Sequence, residues 1–221
     1  MKKLISLLFT LSIVFMTQSC KTSKGLAGLS PAKALTGVQA LLGGASTSAL
    51  KGFGKNALNN TVMKKAMPAG LSNVTSLLGK STEGKKALGL LNSALGSAVP
   101  DIASSFLGNA TKSIPAADAL NILKGGDTGA TDFLKNSVGS DLSAALLPAI
   151  TKQLTDNGGL KAITSALGGQ ASSLFGNGKP SLASLATTGS VDGLFSMMGN
   201  AEKRERANPT DPVLKEIFSK K

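Results

Sequence analysis

The sequence contains no histidine, tryptophan or tyrosine, and one cysteine in 221 residues. Each absence removes a class of chemistry. Without histidine there is no Ser-His-Asp or Cys-His apparatus, no imidazole general base and no imidazole-ligated metal. Eight phenylalanines are the only aromatic residues, and they offer no stacking platform for nucleic-acid bases. Proline is scarce, and few runs alternate polar with apolar residues, so strands have little support. What is present is ample for a core, with 42% apolar residues. Alanine, leucine, serine and lysine dominate, alongside 26 glycines, a composition suited to short, closely packed helices. The expected fold is all-α, a single-domain bundle of about eight to ten short helices without a significant sheet.

The first twenty residues read as an address. Lys2 and Lys3 precede an apolar run from Leu4 to Met16, too short to span a bilayer but suited to the core of a signal peptide. With Ser19 ahead of Cys20, the arrangement resembles a bacterial lipoprotein signal, although Thr17 stands where leucine is usual. Residues 1–19 are therefore expected to be the signal, Cys20 the lipidated residue, 20–29 a tether and 30–221 the helical domain. Lipidation would occupy the only thiol. Lys21, rather than aspartate, follows Cys20, which points to the outer membrane, facing the periplasm.

Charge is unevenly distributed. Lys21 to Thr82 holds eight lysines and no acidic residue, whereas Glu83 to Lys221 holds fourteen basic and twelve acidic residues. An acid-free segment beside a lipid anchor is attracted to anionic headgroups, by about 1 kcal/mol per lysine near the surface. Nucleic acid is not expected as a partner, because a cell-envelope address removes it from reach.

The stretch Asp118 to Leu154 carries the strongest pattern and reads as three helices joined by two glycine-containing turns. Leu142, Ala145, Leu146, Ala149, Ile150 and Leu154 form an apolar stripe. Gly125-Gly126 supplies a positive-φ stop and Asp127 a cap for the next helix, with Asp141 capping the third. Elsewhere, Ser30-Pro31 starts a helix that Gly43-Gly44 should break. Residues 59–68 read as irregular, 69–78 as helix, and 82–111 as a hairpin or a helix broken at Pro100. Gly158-Gly159 opens a helix to about Leu167, and 168–179 reads as a mobile loop. A short helix near 182–186 leads to another over 190–206, and Asp211-Pro212 starts the last. A small residue, apolar residues and then glycine recur at Gly43, Gly79, Gly96, Gly168 and Gly176, consistent with glycine helix stops.

Asp118-Ala119, Ile122-Leu123, Gly125-Gly126-Asp127, Ala130-Thr131, Phe133, Leu147-Pro148 and Ile150 resemble the signature of domain-of-unknown-function family 4197. So do Thr187, Asp192-Gly193-Leu194-Phe195, Glu202, Arg206 and Asn208-Pro209, with weaker matches upstream at Gly37-Val38, Met67-Pro68, Leu71, Val74 and Leu78-Gly79. The likeness is most specific over 118–209. It implies an all-helical, secreted or lipid-anchored bacterial envelope protein without an established activity. The chain departs from the family at Ser93 and Gly96, where an arginine and a glutamate are usual.

Eight aspartates and four glutamates remain as chemistry-bearing groups. Asp127 and Asp132 do not form a ligand pair, since five helical steps put them about 140° apart. Phosphate at Gly125-Gly126 is opposed by the charge of Asp127. Asp192, Glu202 and Arg206 make up a candidate functional surface, Glu202 and Arg206 being four residues apart in the favourable order. No catalytic group, cofactor or metal is expected. The leading expectation is a non-enzymatic envelope module, joined to the membrane by its lipid and binding an envelope protein partner or an apolar ligand. The alternatives are a carboxylate-dependent hydrolase using Glu202 or Asp192, which requires acids converging in a cleft, and a membrane-surface module acting through the basic N-terminal region.

Overall fold

Leucine and alanine at three- and four-residue spacing generate helices throughout the computed structural model, which describes residues 26, 28–54, 57–176 and 178–218. In chain order these are α1 (Pro31–Phe53), a 3-10 turn (Ala57–Asn59), α2 (Thr61–Ala66), α3 (Ala69–Leu78), α4 (Thr82–Lys112) and α5 (Ala116–Lys124). They continue with α6 (Gly129–Asp156), α7 (Gly159–Leu167), α8 (Gln170–Phe175), α9 (Leu182–Ala207) and α10 (Pro212–Phe218). Among the described residues the protein is all-α, with no strand. The signal-like segment and Cys20 lie outside the described residues. Of the stretch read as a tether, Leu26 is buried in the core.

Four helices are long rather than short. α1 and α6 each pack against both α4 and α9, so the four close into a ring with α1 and α6, and α4 and α9, on its diagonals. The smaller helices cover this ring. α7 lies on α4 and α6, α5 on α1 and α6, α2 on α9, and α10 on α1 and α9.

The long helices arise where local breakers are overruled by burial. Gly43-Gly44 does not end α1, because Ala34, Val38, Leu41, Leu42, Ala45, Ala49 and Phe53 continue one buried stripe past it. Each interior glycine costs about 1 kcal/mol relative to alanine, less than the burial of Leu41, Leu42 and Phe53 returns. Pro100 likewise stays inside α4, between the buried Ala98, Val99 and Ala103. α6 is also one helix: Gly139 sits buried within it, Asp141 is an exposed mid-helix residue rather than a cap, and Pro148 is carried on its solvent face. In the stripe from Leu142 to Leu154, Leu142, Leu146, Ile150 and Leu154 are buried as their spacing predicts, with Ala145 and Ala149 half-buried beside them.

α9 lies deepest, and it runs unbroken through Gly189, where two helices are expected from the sequence. Buried Thr187 and Ser190 donate their hydroxyls to the Ala183 and Ala186 carbonyls at 2.8 and 2.7 Å, satisfying polar groups in the core without leaving the helix. At Gly193 the thioether of Met63 from α2 comes so close that a Cβ would overlap its sulfur. The centre of the bundle is thus α9, with the 118–154 stretch packed on it.

Local signals place the shorter elements. Ser30 caps α1 by accepting from Lys33 N at 3.3 Å. Asp211 caps α10 by accepting from Val213 N and Leu214 N. Gly126 (φ 89°) and Gly158 (φ 71°) occupy the left-handed region, as the turns before α6 and α7 require. Glycine stops hold at Gly79, Gly168 and Gly176, but Gly43 and Gly96 are helix-interior. Two expectations fail on short elements. Residues 61–66 are helical, capped by Asn60, and residues 170–175 form α8 inside the segment read as a mobile loop.

Candidate functional site

Asp192, Glu202 and Arg206 do not form a surface. Glu202 is fully buried, and the Arg206 side chain is only 10% exposed. Both belong to the last turns of α9, which reach the corner between α5 and α6. There the Glu202 carboxylate accepts from Ala130 N at 3.0 Å and Thr131 N at 2.7 Å, the amides of the first turn of α6. Arg206 Nε donates to Glu202 Oε1 at 2.8 Å, and its Nη2 lies 2.7 Å from the same oxygen. Arg206 Nη1 donates to the Leu123 carbonyl at the end of α5, at 2.8 Å.

The geometry is complementary to both helix dipoles. The carboxylate sits on the positive end of α6 and the guanidinium on the negative end of α5. Phe218 of α10 covers the guanidinium, 5.1 Å from its ring centroid. Gly129 makes room: a Cβ there would lie 2.9 Å from the Ile122 carbonyl oxygen and 3.9 Å from Arg206 Nη2. Asp127 therefore does not cap α6. It is exposed in the turn, and Glu202 takes the capping role from across the chain.

Asp192 lies elsewhere. It is partly exposed and joined to Lys135 of α6 at 2.8 Å. Ten residues of helix separate it from Glu202, about 15 Å along the axis. The two carboxylates do not converge, and both oxygens of Glu202 are occupied. Among the described residues, no three potential metal-ligating side chains gather. The pair picked out by sequence is a structural clamp.

A cavity of about 650 Å³ lies elsewhere, in a groove between the 3-10 turn, α2, α3 and α4. Leu58, Met67 and Leu88 give it apolar walls. Ser72, Thr75 and Ser76 of α3 contribute hydroxyls, and Lys64 of α2 and Lys85 of α4 contribute cations. Among the described residues, no aspartate or glutamate lines it. Asn92 fixes one wall by accepting from Leu58 N at 3.0 Å, which ties the 3-10 turn to α4. Sequence reasoning missed this groove.

Two smaller cavities flank the clamp. One, of about 250 Å³, includes Thr131, Asp132, Lys135 and Lys203. The other, of about 350 Å³, has Asp118 and Asp132 beside Ile122 and Phe133.

The profile of a family described as "Protein of unknown function (DUF4197)" matches residues 28–219, which takes in every helix described above. Neither the curated proteins nor the solved structures contain a significant match.

Proposed function

We propose, for a chain that belongs to this family of unknown function, a non-enzymatic binding role in which a ligand with an apolar body enters the groove between α2, α3 and α4. One observation carries the reading. The groove holds about 650 Å³ and combines apolar walls with a few polar groups, the volume and lining usual for small-molecule sites. The clamp residues are committed to holding helix ends together, whereas Lys64, Lys85, Ser72 and Ser76 of the groove are exposed.

Gly89 provides the test. It lines the groove, and a Cβ on it meets nothing within 4 Å. Gly89→Phe should therefore fill the groove while leaving α4 at least as stable, since an interior glycine is about 1 kcal/mol worse than a better helix former. A neutral fluorescent apolar dye, N-phenylnaphthylamine, should bind the wild type and bind this variant at least tenfold more weakly. Equal binding by both proteins, or none by the wild type, ends the proposal.

The envelope location rests on Cys20 and the segment before it. A lipidated Cys20 tethers the domain to a membrane, with the exposed Lys51, Lys64 and Lys65 favouring an anionic leaflet. Intact-mass measurement of the mature protein is expected to show acyl chains on Cys20, and an unmodified thiol there removes the anchor.

A further inference from the structure

We infer that the groove selects a single-chain amphiphile with an anionic head, held by Lys64 and Lys85; this rests on the groove being the binding site. The argument is one of charge and shape together. Lys64 and Lys85 come from two different helices and line one cavity. The ion pairs among the described residues join Lys33 to Glu216, Lys135 to Asp192, Lys152 to Asp156 and Arg206 to Glu202. None of them neutralises Lys64 or Lys85.

Two like charges facing one cavity without an acid disfavour each other and any cationic ligand, and an anion entering between them relieves both. The hydroxyls of Ser72 and Ser76 stand on the same lining and are exposed, so they add hydrogen bonds to an anionic head. The apolar part of the wall comes from Leu58, which is buried, and from Met67 and Leu88, half-buried against the core, beside Asn59, Thr75 and Asn92. An alkyl chain laid there leaves water without leaving a polar group unpaired. A volume of about 650 Å³ suits one small ligand rather than a folded segment of another protein. The two cavities beside the clamp lack this combination. One has Lys203 and Lys135, but Lys135 is already paired with Asp192, Asp132 stands beside them and Phe195 is its one large apolar residue; the other carries two aspartates and no cation.

Displacement of N-phenylnaphthylamine from the full chain by dodecanoate, dodecanol and dodecyltrimethylammonium, each below its micelle threshold, tests the head group. Dodecanoate should compete about tenfold more effectively than dodecanol, with the cationic amphiphile weakest, and only the dodecanoate value should weaken as salt rises. In the double variant Lys64→Gln, Lys85→Gln, the dye should bind unchanged while dodecanoate falls to the level of dodecanol. Equal competition by all three amphiphiles overturns the inference and leaves the groove as a neutral site. A preference for dodecanoate that survives the double variant overturns it by placing the head elsewhere. Failure of the dye and all three amphiphiles to bind overturns the groove reading as well.

Discussion

Glu202→Ala is expected to lower the unfolding free energy by about 3–5 kcal/mol, the cost of breaking a buried ion pair by removing one partner. The reasons are additive in kind. Arg206 is left as a nearly buried cation with its counter-charge gone. The Ala130 and Thr131 amides lose their acceptor at a helix terminus buried under α9. At about 2–4 °C per kcal/mol for a chain of this size, thermal unfolding should move down by roughly 6–20 °C. Glu202→Gln keeps one acceptor oxygen and should fall between wild type and alanine. The informative comparison is Glu202→Leu combined with Arg206→Met. With no orphan charge, the double variant should be more stable than the Glu202→Leu single variant, since apolar replacement of a whole buried pair is often neutral. Urea unfolding of the wild type, Glu202→Leu, Arg206→Met and the double variant closes the cycle. Single and double variants within about 1 kcal/mol of wild type would contradict the clamp.

The second large effect is at Gly84, in the first turn of α4. The start of α4 backs directly onto the end of α3: a Cβ at Gly84 would overlap the Leu78 carbonyl oxygen and lie 2.7 Å from its carbon. The obstructing atoms are backbone, so no rotamer change relieves them. Gly84→Ala should destabilise by about 3 kcal/mol, at the upper end of overpacking costs, despite alanine's better helix propensity. The same substitution at Gly108 is the control. It belongs to the same helix, and a Cβ there meets nothing within 4 Å, so Gly108→Ala should stabilise by up to about 1 kcal/mol. Melting temperatures moving in opposite directions support the close approach, whereas a stabilised Gly84→Ala protein rules it out.

What could be read from sequence was what depends on neighbours in sequence. Ser30-Pro31, Asp211-Pro212, the stop at Gly79, the left-handed Gly126 and the helix start at Gly158-Gly159 all act within four or five residues, and all stand where the spacing puts them. What escaped depends on partners far along the chain. Gly43-Gly44 and Gly189 looked like breaks because the burial that carries α1 and α9 through them comes from other helices. α9 looked secondary because its buried face mixes apolar residues such as Leu194, Phe195 and Met198 with threonine, serine, glycine and glutamate, whose polar groups are satisfied by its own carbonyls or by α6. Asp127 and Thr128 stand just ahead of α6, yet neither side chain caps it, and the cap comes from a residue 71 or 72 positions away. The groove had no signature for the same reason: its two lysines sit on elements that meet only after folding.

That distant cap also sets an order of assembly. Closing a contact over 72 residues carries a loop-entropy cost that local helix formation does not. The Lys33–Glu216 pair spans 183 residues and joins α1 to α10. Synthesis runs from the N-terminus, so the first turn of α6 and the last turn of α5 are made well before the side chains that satisfy them. Until α9 emerges, their amides and carbonyls remain bonded to water, and the hydrophobic faces of α1 and α6 share only α4 of their two common partners. Non-local closure of this kind slows folding relative to simple up-and-down bundles. A chain halted before Glu202 is thus an open, protease-sensitive intermediate, not a shorter version of the native bundle.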